Sequence, residues 1–119
     1  MRKIIFYCLE NGECPVRNFL DSLSSKQVEK VFFVLDLIEN FDLVPSKFFK
    51  KLGATDDIWE VRIQYGNDIF RLLGFFDGND LIVLNHAFTK KTQKTPDKEI
   101  KTAERRKKDY STNTKRRLS

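Results

Sequence analysis

The sequence predicts an α+β domain: two N-terminal helices packed on an antiparallel sheet of about four strands, with one further helix at the C-terminal end. Three observations carry this. Residues 58 to 88 hold three runs rich in Ile, Val, Leu, Phe and Trp, broken by Gly66-Asn67 and Asp77-Gly78-Asn79, the turn chemistry of consecutive hairpins. Residues 15 to 40 repeat apolar side chains at helical spacing. Thr95-Pro96-Asp97-Lys98-Glu99 then has the composition of a helix start, with Thr as N-cap, Pro at the first position and acids in the first turn.

In chain order, Lys3 to Cys8 (KIIFYC) reads as a first strand that joins the sheet and ends at a turn, Glu10-Asn11-Gly12-Glu13. Pro15 opens a short helix with Val16, Phe19, Leu20 and Leu23 on one face. Ser24 and Gln27 form a capping box, after which Val28, Val31, Phe32, Leu35 and Ile38 carry the stripe to Asn40. Phe41 to Gly53 has no clean period and contains Pro45, so it reads as a connection with a short ordered turn. The C-terminal helix has only Ile100, Ala103 and Tyr110 on its apolar stripe, which predicts weak docking. Ser111 to Ser119 has almost nothing to bury. The expected organisation is one domain over residues 1–110 and a basic, flexible tail over 111–119.

With 119 residues, 40% hydrophobic and eleven Phe, the chain is long enough for one small core. It has no apolar run of membrane-spanning length and no signal peptide, which predicts a cytoplasmic protein. Cys8 and Cys14 supply neither a disulfide framework nor a zinc ligand set, so reduced thiols are expected. No cofactor is expected. A single histidine argues against a catalytic metal, with carboxylate-bound magnesium left open. The net charge of +5 is unevenly placed: residues 1 to 89 hold ten Lys and Arg against thirteen Asp and Glu, residues 90 to 119 twelve against four. Such an asymmetry points to a polyanionic partner, nucleic acid first and an acidic protein groove second.

Hairpin loops fix register. If Gly66 and Asn67 form a two-residue turn, Arg62 lies directly opposite Arg71. A next turn at Gly78-Asn79 puts His86 opposite Arg71, and a turn at Asp77-Gly78 puts it on the diagonal; only an odd loop or a bulge would change its face. The other face then collects Trp59, Val61, Ile63, Phe70, Leu72, Phe76, Leu81, Val83 and Ala87, with Trp59 over Gly74. Facing like charges are destabilising. Either the arginines are solvated or paired with Glu60 and the turn acids, or Arg62, Arg71 and His86 form an anion site, since guanidiniums grip phosphate in bidentate fashion. Lys90, Lys91 and Lys94 follow immediately. On the anion-site reading, Ala at either arginine relieves repulsion and leaves stability unchanged or raised. Lys50 and Lys51, just before the meander, are either a solvated patch or further phosphate contacts. Lys98, Arg105 and Arg106 extend the basic surface along the last helix.

The segments KKL, IWEVR, FRLLGFF and HAFTKKTQKTPDKEI followed by AERRKKDY resemble the HigB-like branch of the RelE superfamily, ribosome-associated toxins and related phage-borne proteins. The resemblance covers Met1 to about Tyr110 and is most specific from His86 to Glu99. It implies a RelE-like fold and a type II toxin that cleaves messenger RNA, typically on the ribosome and without a metal. It also implies a helix-turn-helix, HigA-like antitoxin as partner. Residue by residue it places functional arginines at Arg62 and Arg71, a basic loop at Lys90, Lys91 and Lys94, and a histidine at His86. Proton transfer is left open between His86, whose ordinary pKa suits it, and Lys90 or Lys91, whose pKa falls beside arginines. The alternative from another class is a non-catalytic nucleic-acid-binding module of phage origin, for which Phe75 and Phe88 would be the stacking aromatics unless the C-terminal helix buries them.

Overall fold

The computed structural model describes residues 1–113. The elements are β1 (Lys3–Phe6), α1 (Pro15–Asp21), α2 (Ser25–Asn40), β2 (Phe49–Lys51), β3 (Trp59–Tyr65), β4 (Asp68–Asp77), β5 (Leu81–Thr89) and α3 (Asp97–Thr112). One five-stranded sheet runs in the order β1-β5-β4-β3-β2. It is mixed, not wholly antiparallel, because β1 reaches β5 in parallel after two helices have carried the chain across the sheet. The fifth strand, β2, lies inside the segment that sequence reading leaves as a connection. Its three residues are too few to show a period, and its one buried side chain, Phe49, lies opposite Val61.

Helices α1 and α2 cover one face of the sheet and α3 the other. Val16, Leu20, Val31, Val34, Leu35 and Ile38 join Val61, Ile63, Phe70, Leu72, Ile82 and Leu84 in the main core. The Ser24–Gln27 capping box forms with both bonds, 2.9 and 3.2 Å. The stripe of α2 is rotated from the expected one, for Val34 is buried while Phe32 is 48% exposed.

The other face has two smaller clusters, Tyr7, Phe75, Val83 and Tyr110, then Ile58, Leu73, Phe88 and Ala103. Docking of α3 is therefore firm rather than weak. Tyr110 packs edge-on against Phe75 at 5.4 Å and donates to Asp77 Oδ2 at 2.9 Å, while Tyr7 donates to Asp109. The helix also takes in Ser111 and Thr112 from the expected tail; residues 114–119 lie outside the described ones. Pro96, not Thr95, occupies the N-cap position, which frees the Thr95 hydroxyl for another partner.

A further correction concerns Cys8 and Cys14, which are joined in a disulfide with S–S 1.95 Å rather than left as free thiols. The tight loop after β1 brings them together, with Leu9 N bonded to Glu13 O at 2.7 Å and Gly12 at φ +92. Cysteine number and spacing do not encode that closure.

The β3–β4 ladder has the expected register, Arg62 opposite Arg71 and Trp59 opposite Gly74, around a turn with Gly66 at φ +61. The β4–β5 ladder does not. Its loop is three residues long, since Asp77 pairs with Leu81, and a bulge interrupts it between Leu73 and Gly74. The odd loop moves Leu81 and Val83 from the expected core face to the α3 face. The bulge shifts the parity back, so that Ala87 lies on the core face while His86 pairs with Leu73 and Phe88 with Arg71. Gly74 is required here because a Cβ would lie 2.2 Å from the Val83 carbonyl oxygen. The expected reason, room for the Trp59 indole, is not the operative one: Trp59 stacks on Phe49 at 4.7 Å and meets Phe76 edge-on at 5.3 Å.

Candidate functional site

The facing arginines are held by a carboxylate between them. Glu60 precedes Arg62 by two residues on β3, which puts both on the same face, and its side chain is 3% exposed. Glu60 Oε1 lies 3.3 Å from Arg62 Nε and 3.6 Å from Arg71 Nε, and Oε2 accepts from Thr95 Oγ1 at 2.5 Å. The hydroxyl that would have capped α3 is spent on this buried acid. The Arg62 side chain is 31% exposed and that of Arg71 10%. Burial lowers the Arg71 pKa, with Glu60 opposing and Arg62 adding to the fall; a guanidinium stays charged regardless. Arg71 Nε is buried without a hydrogen bond.

Both arginines line a cleft of about 430 Å³ together with Lys30, Lys47, Phe48, Ile63 and Gln64. It opens where β2 ends and the far half of β3 is uncovered. Arg62 is steadied there by the Ser46 carbonyl at 3.4 Å. Among the described residues, four cations line this cleft and no carboxylate does. Lys30 and Lys47 escaped sequence reading because neither lies in the meander; Lys30 sits within an amphipathic helix and Lys47 in a segment without period. Lys90 follows the end of β5, outside the cleft lining, with its backbone N bonded to Ile69 O at 2.8 Å and its charge felt by Arg71, Glu60 and Arg62. Burial lowers the Lys90 pKa first, then Arg71, with Glu60 opposing and Arg62 adding to the fall.

His86 belongs to a second polar centre. Its Nε2 lies 2.9 Å from Glu99 Oε1, its Nδ1 lies 3.2 Å from Arg106 Nη1, and its ring rests near Phe88 at 5.6 Å. A guanidinium only donates, so Nδ1 accepts and Nε2 carries the proton toward Glu99. Burial depresses the His86 pKa, the Glu99 hydrogen bond and charge oppose it, and Arg106 and Arg105 add to the fall. The imidazole is thus neutral near pH 7. The structure gives the diagonal placement relative to Arg71, not the direct one, and leaves neither ring nitrogen free.

The remaining candidates are dispersed. Lys91, Lys94, Lys98 and Arg105 are exposed along the β5–α3 loop and the outer side of α3, whereas Arg106 faces inward and donates to Asn85 O at 2.9 Å. Lys50 lies opposite Glu60, on the arginine face; Lys51 lies opposite Trp59 and pairs with Asp57 at 2.8 Å. Phe75 and Phe88, 2% and 9% exposed, are buried under α3 and offer no stacking surface. Among the described residues no group of three His, Cys, Asp or Glu side chains is placed to hold a metal.

The family model described as phage derived protein Gp49-like (DUF891) matches residues 18–108. The chain belongs to this family. Gp49-like proteins are associated with RelE and toxin-like proteins, and the matched residues include all of α2, the whole β2–β5 sheet segment and most of α3. No curated protein matches the chain. In this Gp49-like chain no helix of the described residues is long and apolar enough to cross a membrane.

Proposed function

We propose that this chain is the toxin of a type II toxin-antitoxin pair, an endoribonuclease that cuts messenger RNA on the translating ribosome by attack of a ribose 2′-hydroxyl on the adjacent phosphate. The observation that carries the reading is the cation-lined cleft around Arg62 and Arg71, which are paired with the buried Glu60. A phosphorane-like transition state gathers negative charge on the non-bridging oxygens, and preorganised cations in a partly dehydrated site stabilise it. Arg62, the more exposed of the two, grips the phosphate, and Arg71 supplies charge from below. Lys90, its pKa depressed by burial and by Arg71, takes the 2′-hydroxyl proton. The 2′-oxygen then bonds to phosphorus, the bond to the 5′-oxygen breaks, and that leaving oxygen takes up a proton from solvent, so that a 2′,3′-cyclic phosphate and a 5′-hydroxyl result. His86 lies outside this arrangement. A RelE-like arrangement of helices and sheet, a HigA-like helix-turn-helix antitoxin as partner and a cytoplasmic site of action belong to the same reading.

The reaction is tested by cleavage of a translated messenger with purified protein. EDTA should leave the rate unchanged, the upstream fragment should end in a cyclic or 3′-phosphate, and 2′-deoxyribose at the scissile nucleotide should block cutting. Inhibition by EDTA with no need for that hydroxyl would indicate a metal-activated water instead. Tight RNA or ribosome binding without cleavage, in a folded protein, would make the chain a binding module.

A further inference from the structure

Apart from Asp97, which lies one turn before Lys101 on the same side, the acids and bases of α3 are sorted by face. Three of its four acids are used inside the fold: Glu99 on His86 at 2.9 Å, Glu104 on the Asp56 backbone N at 2.9 Å, and Asp109 on Tyr7. Asp97, at the first turn, is the exposed one. Two bases also face inward, Arg106 on His86 and Asn85, and Lys107 on the Asp56 carbonyl at 2.6 Å. The other four, Lys98, Lys101, Arg105 and Lys108, are all exposed, and among the described residues their side chains make no ion pair or hydrogen bond. Their spacing of three, four and three keeps them within an arc of about 80°, on the side of the helix away from Ala103 and Tyr110, and spreads them over about 15 Å at 1.5 Å per residue. Glu104 and Asp56 border the stripe beside Arg105 and Lys108; Glu104 is engaged by the bond above, and Asp56 Oδ1 lies 3.4 Å from Lys107 Nζ. Lys91 and Lys94, also exposed, lie in the loop between Lys90 and α3.

We propose that this face of α3 is a docking surface for the sugar-phosphate backbone of an RNA duplex, separate from the cleft that holds Arg62 and Arg71. Four unpaired cations in a straight, rigid row match a polyanion and release its counterions on binding. The row contains no aromatic residue, and the one aromatic of α3, Tyr110, is buried. Single-stranded nucleic acid is held by stacking its bases on aromatic side chains, so this surface lacks what a single strand needs. A-form duplexes are recognised instead through phosphates and 2′-hydroxyls. The choice of RNA over DNA rests on the endoribonuclease reading above; the backbone contact itself does not.

The test is fluorescence anisotropy of the full chain with a blunt RNA duplex of arbitrary sequence, titrated at several salt concentrations. The logarithm of affinity should fall steeply with the logarithm of salt. In the combined variant Lys98→Gln, Lys101→Gln, Arg105→Gln and Lys108→Gln the slope should drop by about 3 to 4, about 0.9 for each phosphate that is no longer neutralised. Because these side chains bond to none of the other described residues, the variant should keep the wild-type circular dichroism and melting midpoint. An unchanged slope in the folded variant overturns the proposal, as do preference for the matching single strand, equal or tighter binding of the DNA duplex, or binding to phosphatidylglycerol vesicles without binding to RNA. Arg62→Ala should abolish messenger cleavage and keep the duplex slope. If the wild type cleaves nothing but the combined variant still loses slope, the docking face stands and the endoribonuclease reading falls.

Discussion

The sheet carries two polar centres on one face, and they differ in the way that matters for chemistry. Around Glu60, one buried carboxylate holds two arginines at 3.3 and 3.6 Å, with Lys90 nearby, and the cluster opens into a cleft with two further lysines. Around His86, a carboxylate and a guanidinium occupy both ring nitrogens, α3 covers the group, and burial keeps the imidazole neutral. The first centre has charge in excess and an opening. The second has its hydrogen bonds matched, and its His86 and Glu99 side chains are 15% and 20% exposed. A histidine and an arginine pair that look like partners in sequence thus do separate work, the one fastening a helix to the sheet and the other facing solvent.

The largest effect that separates the two centres comes from Glu60. Removing one member of a buried charge cluster leaves its partners uncompensated, at a cost of about 3 to 5 kcal/mol. Glu60→Ala should therefore lower the melting midpoint by more than about 10 °C, at the roughly 4 to 8 °C per kcal/mol of a small domain. The same acid revises the sequence-based expectation for the arginines. Relief of like charge would leave either Ala variant as stable as the wild type or more so; with Glu60 beneath them, Arg71→Ala, at 10% side-chain exposure, should destabilise clearly more than Arg62→Ala, at 31%. Thermal melts of the three variants check the order, and equal midpoints for all three would mean that Glu60 is not the anchor.

How much of this was legible in the sequence follows from where register is set. A two-residue turn leaves no freedom, so the Arg62–Arg71 pairing and the Trp59–Gly74 pairing could be read from Gly66-Asn67 alone. The second hairpin hides two compensating irregularities, a three-residue loop and a bulge. Turn residues signal the loop but not its length, and nothing local signals the bulge, whose cause is the close approach of β5 to Gly74. Thr95 shows the same limit, because a hydroxyl before Pro96 has the composition of a cap, and only tertiary structure shows that Glu60 claims it. Lys30 and Lys47 enter the cleft from elements whose patterns read as packing and connection. The next largest effect tests the bulge. Gly74→Ala puts a methyl group 2.2 Å from a backbone oxygen, and overpacking of this kind costs about 1 to 3 kcal/mol or more. Its midpoint should fall, and hydrogen exchange should rise first at Val83, Leu84 and Asn85, on the strand opposite, while the amides between Arg62 and Arg71 keep their protection.

The smallest effect isolates the closed centre by pH. His86 is the one histidine of the chain, and its pKa in the folded protein lies below the ordinary value of 6.5. The unfolded chain therefore binds more protons than the folded one wherever the pH lies between these two values, and stability rises with pH across that window. Read downward, the contribution of a neutral, matched His86 is full above about pH 7, is lost as the pH falls through the unfolded value, and levels off below the folded one. The structural cause is specific: a second ring proton on Nδ1 would face Arg106 Nη1 at 3.2 Å, turning an acceptor into a cation against a guanidinium. Urea midpoints should consequently decline from pH 7 to pH 5 in the wild type and decline less in His86→Gln, which cannot titrate. In the same range Arg62→Ala should retain the wild-type slope, since that variant leaves His86, Glu99 and Arg106 in place. A His86→Gln variant that keeps the full decline would place the titrating group elsewhere and remove the neutral imidazole from the account of how α3 is held.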